Sequence, residues 1–227
     1  MKHLAMIMDG NRRWAKENGV RDLYGEASKR SVRLAVEFCL KNKIEHLSLY
    51  AFSLENFNRS KTEQKILFRL LEKTIREELP KLMEQNVKIR FIGDKRVFPD
   101  NLKLFIQMAE EKTSGLNDLT LNILFCYGGQ QELLFATKSI AQKVKAGLLN
   151  INEIDENTIR ESLWIKDSPP PELILRTGGV HRLSNFLTFD SAYSEFMFLD
   201  CYWPDLTETH LQHCLDNFSG TIRNFGH

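Results

Sequence analysis

Residues 3–14 read HLAMIMDGNRRW: a short, mainly apolar run, then Asp9, Gly10, Asn11, Arg12 and Arg13. An apolar run this brief, bounded by a charge and a glycine, has the length of a buried strand rather than of a helix. The same pattern recurs down the chain. Strands are expected at His3–Met8, His46–Phe52, Val87–Ile92, Leu119–Cys126, Leu173–Leu175 and Phe196–Leu199. Helices are expected at Ala27–Lys41, Thr62–Gln85, Asn101–Thr113, Gln131–Lys145, Glu156–Leu163 and Glu208–Phe218. Apolar strands alternating with amphipathic helices describe an α/β fold, with a mostly parallel six-stranded central sheet flanked by helices. No repeat, low-complexity tract or linker interrupts the sequence, so a single domain over residues 1–227 is the expectation.

Composition narrows the function. Hydrophobic residues make up 42% and charged residues 27%, and the net charge is +1, a balance that gives no hint of a nucleic-acid partner. Anion binding must then come from local clusters of arginine and lysine. Cys39, Cys126, Cys201 and Cys214 have neither C-x-x-C nor metal-finger spacing and read as reduced core thiols of a cytoplasmic protein. Leu4–Met8 is too short for a signal peptide, and no run approaches the roughly 20 apolar residues of a spanning helix.

Polar or glycine-rich sequence follows four of the strands: DGNRRW, SLENFNRS, YGGQQE and RTGGVHRLSN. In an open α/β sheet ligands bind outside the carboxyl ends of the strands, so these segments are expected to meet at one edge. Asp9 can hold Mg²⁺ through oxygen beside a glycine and two arginines suited to phosphate, or it can cap a helix. Arg176 and Arg182, with Ser184, have the donors that a phosphate fork needs. Glu195 reads either as a second metal ligand or as a strand-edge charge. Ser53, Glu55, Asn56, Asn58 and Arg59 form either a head-group loop or a turn. A D-x-D-G-T phosphatase would need a nucleophilic carboxylate where Ile7 stands, which excludes that mechanism. The helix Thr62–Gln85 carries a wide stripe of Ile66, Leu67, Leu70, Leu71, Ile75, Leu79, Leu82 and Met83, either core or the wall of an apolar cavity, with Pro80 expected to kink or interrupt it.

In this order, MDGNRRWAK, LSLYAFSLENFNR, LTLNILFCYGG, LILRTGGVHRLSNFL, AYSE, WPDL and RNFG resemble the cis-prenyltransferases nearly end to end. The resemblance implies an elongated hydrophobic tunnel and the sequential condensation of isopentenyl diphosphate with an allylic diphosphate, farnesyl diphosphate above all. The product would be a long-chain polyprenyl diphosphate, a carrier lipid for cell-wall polysaccharide. It implies Mg²⁺, with Asp9 and Glu195 as metal ligands. Asp9, Asn11 and Ser53 would be catalytic. Gly10, Asn11, Arg12, Arg13, Trp14, Arg21, Ser53, Glu55, Asn56, Phe57, Arg59, Arg176, Arg182 and Ser184 would bind the substrates, with Arg176, Arg182 and Ser184 on isopentenyl diphosphate. A homodimer with the RNFG segment near the partner's site is implied, as is loose membrane association through the growing lipid at the inner face. Ala51, Phe68, Leu71 and Ile123 are expected tunnel residues. The chain departs from the family pattern at Glu26, Phe57, Ser60, Gln130, Val180, Phe189 and Asp190, and lacks the D-D-x-x-D of trans-acting prenyltransferases. A shorter-chain synthase and a non-catalytic partner subunit are the other readings; the second typically loses the aspartate and arginines retained here.

Overall fold

The computed structural model describes residues 1–20, 25–55 and 61–220. Its elements run β1 (His3–Ile7), α1 (Asn11–Glu17), α2 (Glu26–Lys41), β2 (His46–Ser53), α3 (Lys61–Glu84), β3 (Val87–Ile92), α4 (Asp100–Thr113), β4 (Leu119–Tyr127), α5 (Gly129–Lys145), α6 (Glu156–Arg160), β5 (Leu173–Arg176), β6 (Glu195–Phe198) and α7 (Glu208–Gly220). The six strands form one sheet in the order β3-β4-β2-β1-β5-β6, and every pairing is parallel. That is why the strands read as near-continuous apolar runs: all five residues of β1 and all four of β5 are buried.

Alternation within the strands divides the core. Leu4, Met6, Leu47, Leu49, Leu121, Leu173 and Leu175 pack with residues of α2 and α7, such as Ala35, Phe38, Leu211 and Phe218. Ile89, Phe91 and Phe125 pack with Leu67, Ile75 and Leu79 of α3 and with Leu102 and Ile106 of α4. Ala5, Ile7, Leu124 and Ile174 meet Tyr127, Ile165, Phe186 and Leu187. The last group shares its face with a buried polar patch: His3 bonds Ser48 and the Pro169 carbonyl, and Asn122 donates to Ser48 and Ser168. Each strand thus sends alternate side chains to opposite layers.

Three expectations change. Helix α3 runs through Pro80 without interruption. Pro80 lies near the carboxyl end, and the buried Ile75 and Leu79 hold the helix against the sheet at this point. The apolar stripe of α3 is narrower than read, because Ile66 is 58% and Met83 39% exposed. Helix α1 was not among the expected elements; it has no apolar stripe, and only Asn11 and Ala15 of its residues are buried. No described helix is long and apolar enough to cross a membrane.

Candidate active site

Loops leaving the adjacent strands β1, β2 and β5 line a pocket of about 450 Å³. Asp9, Gly10, Asn11, Arg12, Arg13, Ser53, Arg176, Arg182 and Ser184 form its polar part; Ile7, Met8, Ala51 and Phe52 form an apolar flank. A larger groove of about 610 Å³ follows edge strand β3 past Phe135 and Trp164 and touches none of these polar residues. Chemistry, not volume, identifies the smaller pocket as the site. Adjacent parallel strands deliver its loops to the same edge, as the carboxyl-end rule requires.

Arg176 organises the site. It ends β5, directly opposite Ile7 of β1, and is buried. Its Nη2 donates to Asp9 Oδ2 at 2.8 Å, and its Nη1 donates to Ser184 Oγ at 2.8 Å and to the Arg182 carbonyl. Its Nε finds no partner among the described residues. One planar guanidinium therefore ties the loop after β1 to the loop after β5 and keeps a donor uncommitted. Burial works to raise the Asp9 pKa, but the Arg176 hydrogen bond, the Gly10 amide and the charges of Arg176 and Arg13 outweigh it, and the net shift is downward. Asp9 is thus an ionised carboxylate whose side chain is still 31% exposed.

Two glycines let the loops approach. Gly10 has φ +101°, and a Cβ there would lie 2.6 Å from Tyr202 Cδ1. Gly178 has φ +88°, and a Cβ would lie 2.6 Å from Arg13 Nη2 and 3.2 Å from the Asp9 carbonyl carbon. Both need the left-handed freedom of glycine and the missing side chain. Thr177 Oγ1 donates to the Asp9 carbonyl at 2.7 Å, and Trp203 N donates to the same oxygen at 3.0 Å. The Arg13 guanidinium lies 5.2 Å from the Tyr202 ring centroid and 3.5 Å from Asp9 Oδ1.

Asn11 is buried, with Nδ2 donating to the Met8 carbonyl at 3.1 Å and Oδ1 without a partner among the described residues. Arg12, Arg13, Ser53, Arg182 and Ser184 line the pocket as expected from sequence. Trp14 does not: its indole N–H donates to Asp205 at 2.7 Å and braces α1. Glu55 bonds Asn185 instead of entering the pocket. Arg21, Asn56, Phe57 and Arg59, and the RNFG segment, lie outside the described residues.

Glu195 is not brought to Asp9. It opens β6 and pairs with Leu173, whereas Ile7, Arg176 and Phe198 pair at the far end. Asp9 stands two residues beyond Ile7, so about five residues of strand, roughly 16 Å, separate the two carboxylates along the sheet alone. Within one chain Glu195 is a strand-edge charge. Among the described residues no group of three or more His, Cys, Asp or Glu is placed to hold a metal ion. Asp9 by itself fits Mg²⁺, which is commonly bound through one or two carboxylates plus substrate phosphates and water.

Two contributors went unread in the sequence. Tyr202 shapes the Gly10 turn and faces Arg13. Asn185 joins the loop after β5 to the turn before α5: Gly129 N donates to its carbonyl and Gln130 N to its Oδ1, each at 2.8 Å. A signal existed for Asn185, because Gly128 precedes α5 and carries no capping side chain.

A family model for prenyltransferases, described as putative undecaprenyl diphosphate synthase, matches residues 7–226. The chain is 41% identical over 226 residues to the ditrans,polycis-undecaprenyl-diphosphate synthase ((2E,6E)-farnesyl-diphosphate specific) of Escherichia coli, covering 99% of this chain and 89% of that one. Among solved structures, lavandulyl diphosphate synthase from Lavandula x intermedia in complex with dimethylallyl diphosphate superposes with a TM-score of 0.94 at 32% identity, covering 100% of this chain and 98% of that one. A probable undecaprenyl diphosphate synthase from Campylobacter jejuni does so with a TM-score of 0.84 at 32% identity, covering 100% and 99%.

Proposed function

The chain belongs to the undecaprenyl diphosphate synthase family of prenyltransferases, and on that premise we propose that it adds isopentenyl diphosphate units to an allylic diphosphate to build a polyprenyl diphosphate. The observation that carries this reading is the pocket in which the ionised Asp9 is surrounded by Arg12, Arg13, Arg176 and Arg182 beside the apolar Ala51 and Phe52. An amphiphile with a diphosphate head and a hydrocarbon tail matches both halves. Farnesyl diphosphate is the starter that the name of the Escherichia coli relative specifies, and we carry it over as the starter here.

In the reaction, the allylic C–O bond breaks and its electron pair leaves with the diphosphate. The π electrons of isopentenyl diphosphate form the new C–C bond, and loss of a proton from the adjacent carbon restores a double bond. Arg12 and Arg13, which line the pocket, would hold the departing diphosphate, and preorganised cations there stabilise charge that grows as the bond breaks. Arg182 and Ser184 would hold the isopentenyl diphosphate, on a loop that Arg176 fixes from behind. Bound at Asp9, Mg²⁺ would supply further neutralisation of the leaving diphosphate. Diphosphate oxygen is the base that can take the proton, directly or through a relay of Asn11 and Ser53.

The apolar flank of the pocket adjoins an aromatic cluster. Phe52 stacks on Phe125 at 5.1 Å, and Phe68 lies 5.7 Å from Phe125. Leu71 and Ile123 pack against this cluster. We propose that it becomes the tunnel wall, with Ala51 at its mouth. Each added CH₂ buried there contributes about 0.8 kcal/mol, so growth continues until a wall stops it. Ala51→Leu is expected to shorten the products, read by reversed-phase sizing; an unchanged length distribution would remove Ala51 from the wall.

The deciding experiment is turnover of purified protein with farnesyl diphosphate, labelled isopentenyl diphosphate, detergent and Mg²⁺, with and without EDTA. A ladder of long products that EDTA abolishes is expected. No incorporation by folded protein would overturn the enzyme reading in favour of a non-catalytic partner subunit. Products stopping after one or two additions would place it with the short-chain members.

A further inference from the structure

We propose that Asn185 is a positioning residue that locks the diphosphate-binding loop after β5 to Glu55 and to the turn before α5, and so sets the affinity for isopentenyl diphosphate. The inference rests on the function proposed above, because it assigns that substrate to Arg182 and Ser184.

Asn185 uses both ends of its side-chain amide and its carbonyl oxygen. Its Nδ2 donates to Glu55 Oε1 at 2.7 Å and to Gln131 Oε1 at 2.9 Å. Its Oδ1 accepts from Gln130 N and its carbonyl from Gly129 N, both at 2.8 Å. Three segments distant in sequence meet on this one amide. The two amides at the start of α5, which lack a local capping side chain, are closed by a residue from another loop.

The approach is enforced sterically. A Cβ at Gly128 would lie 2.8 Å from Asn185 Nδ2, and one at Gly129 would lie 2.2 Å from Thr188 Oγ1. Ser184 and Asn185 both have positive φ, 52° and 64°. Two consecutive left-handed residues that are not glycine are held only when their surroundings over-determine them. Here the restraints are Arg176 on Ser184 Oγ, the Tyr50 hydroxyl on the Ser184 carbonyl, and the Asn185 bonds. Asparagine is among the few residues that tolerate this conformation. Without the Asn185 anchor, the strained turn that presents Arg182 and Ser184 loses its fixed end.

Asn185→Asp isolates the contact with Glu55. Aspartate also tolerates the left-handed region and still accepts from Gln130 N. Gln131 can rotate its amide to donate to the new carboxylate, whereas Glu55 can only repel it. Glu55→Gln then restores a donor. Wild type, Asn185→Asp, Glu55→Gln and the double variant would be assayed with each diphosphate substrate varied in turn. For Asn185→Asp we expect KM for isopentenyl diphosphate to rise about tenfold, with kcat, the allylic KM and the melting temperature little changed. The double variant should return to the level of Glu55→Gln alone. An unchanged KM in Asn185→Asp, an equal rise for both substrates, or no rescue in the double variant would overturn the role. Should wild type not turn over, calorimetric titration of the same four proteins with isopentenyl diphosphate decides separately. Weakening in Asn185→Asp with reversal in the double variant supports the lock; equal affinities, or no binding to any of them, refute it.

Discussion

Arg176→Ala is expected to lower turnover by about a thousandfold or more, beyond the loss usual for one catalytic donor, about 10² to 10³. The larger effect follows from what this one side chain does. It bonds Asp9 Oδ2, Ser184 Oγ and the Arg182 carbonyl. Removing it deletes a cation from the diphosphate site and releases both loops that shape the site. Arg176→Lys should not recover the loss, since one ammonium cannot reproduce a planar fork spanning acceptors on two loops. Asp9→Ala attacks the same unit, so Arg176→Ala in an Asp9→Ala background should cost much less than in wild type. Steady-state assays on the three single variants and the double variant, with melting curves to show that each is folded, test this. Arg176→Lys within tenfold of wild type, or additive losses in the pair, would show that Arg176 is a local contact and not the organiser of the site.

Much of this architecture could be read in advance, for an identifiable reason. In the interior of this parallel sheet both faces of a strand are buried, so β1, β4 and β5 are mainly apolar runs that end at Asp9, Gly128 and Arg176. The carboxyl-end rule then gathers the polar segments without any knowledge of side-chain geometry. The same rule, applied to Glu195, would have separated it from the Asp9 of its own chain. Glu195 begins its strand, and in a parallel sheet the beginning of one strand cannot lie beside the end of another in register. What stayed hidden depends on contacts between distant loops. Helix α1 has no apolar stripe and is braced by Trp14 on Asp205. Tyr202 acts through its approach to Gly10, and Asn185 through the meeting of three turns. Local propensity carries no record of such encounters.

The buried polar patch opposite α2 and α7 gives the second large effect, a pH dependence of stability made of two opposing parts. His3 is fully buried, bonded to Ser48 and the Pro169 carbonyl, and burial pushes its pKa down to about 3, with His46 and Arg160 adding to the shift against the Pro169 bond. Above pH 6.5 the imidazole is neutral whether the chain is folded or not. Below it the unfolded chain takes up a proton that the folded chain refuses, so stability falls as pH falls, by about 1.4 kcal/mol per unit and about 5 kcal/mol in all down to pH 3. Glu132 works in the other direction. Burial raises its pKa to about 7 against its bonds from the Tyr127 hydroxyl and Ile165 N. The folded chain therefore holds a proton that the unfolded chain releases above pH 4.5, and stability rises by about 3 kcal/mol as pH falls from 7 to 4.5. Over that window the two slopes largely cancel; below pH 4.5 the His3 slope persists, and carboxylates held low by arginine, such as Asp9, Glu78 and Asp94, add to the fall as they protonate. Wild type should show a nearly flat unfolding free energy from pH 7 to 4.5 and a steep fall below. Glu132→Gln should uncover the His3 slope from pH 6.5 downward, and His3→Gln should leave a protein that gains stability between pH 7 and 4.5. Urea unfolding at half-unit pH intervals reads all three curves. A Glu132→Gln curve parallel to wild type would show that Glu132 is ionised in the folded protein, and that the cancellation does not exist.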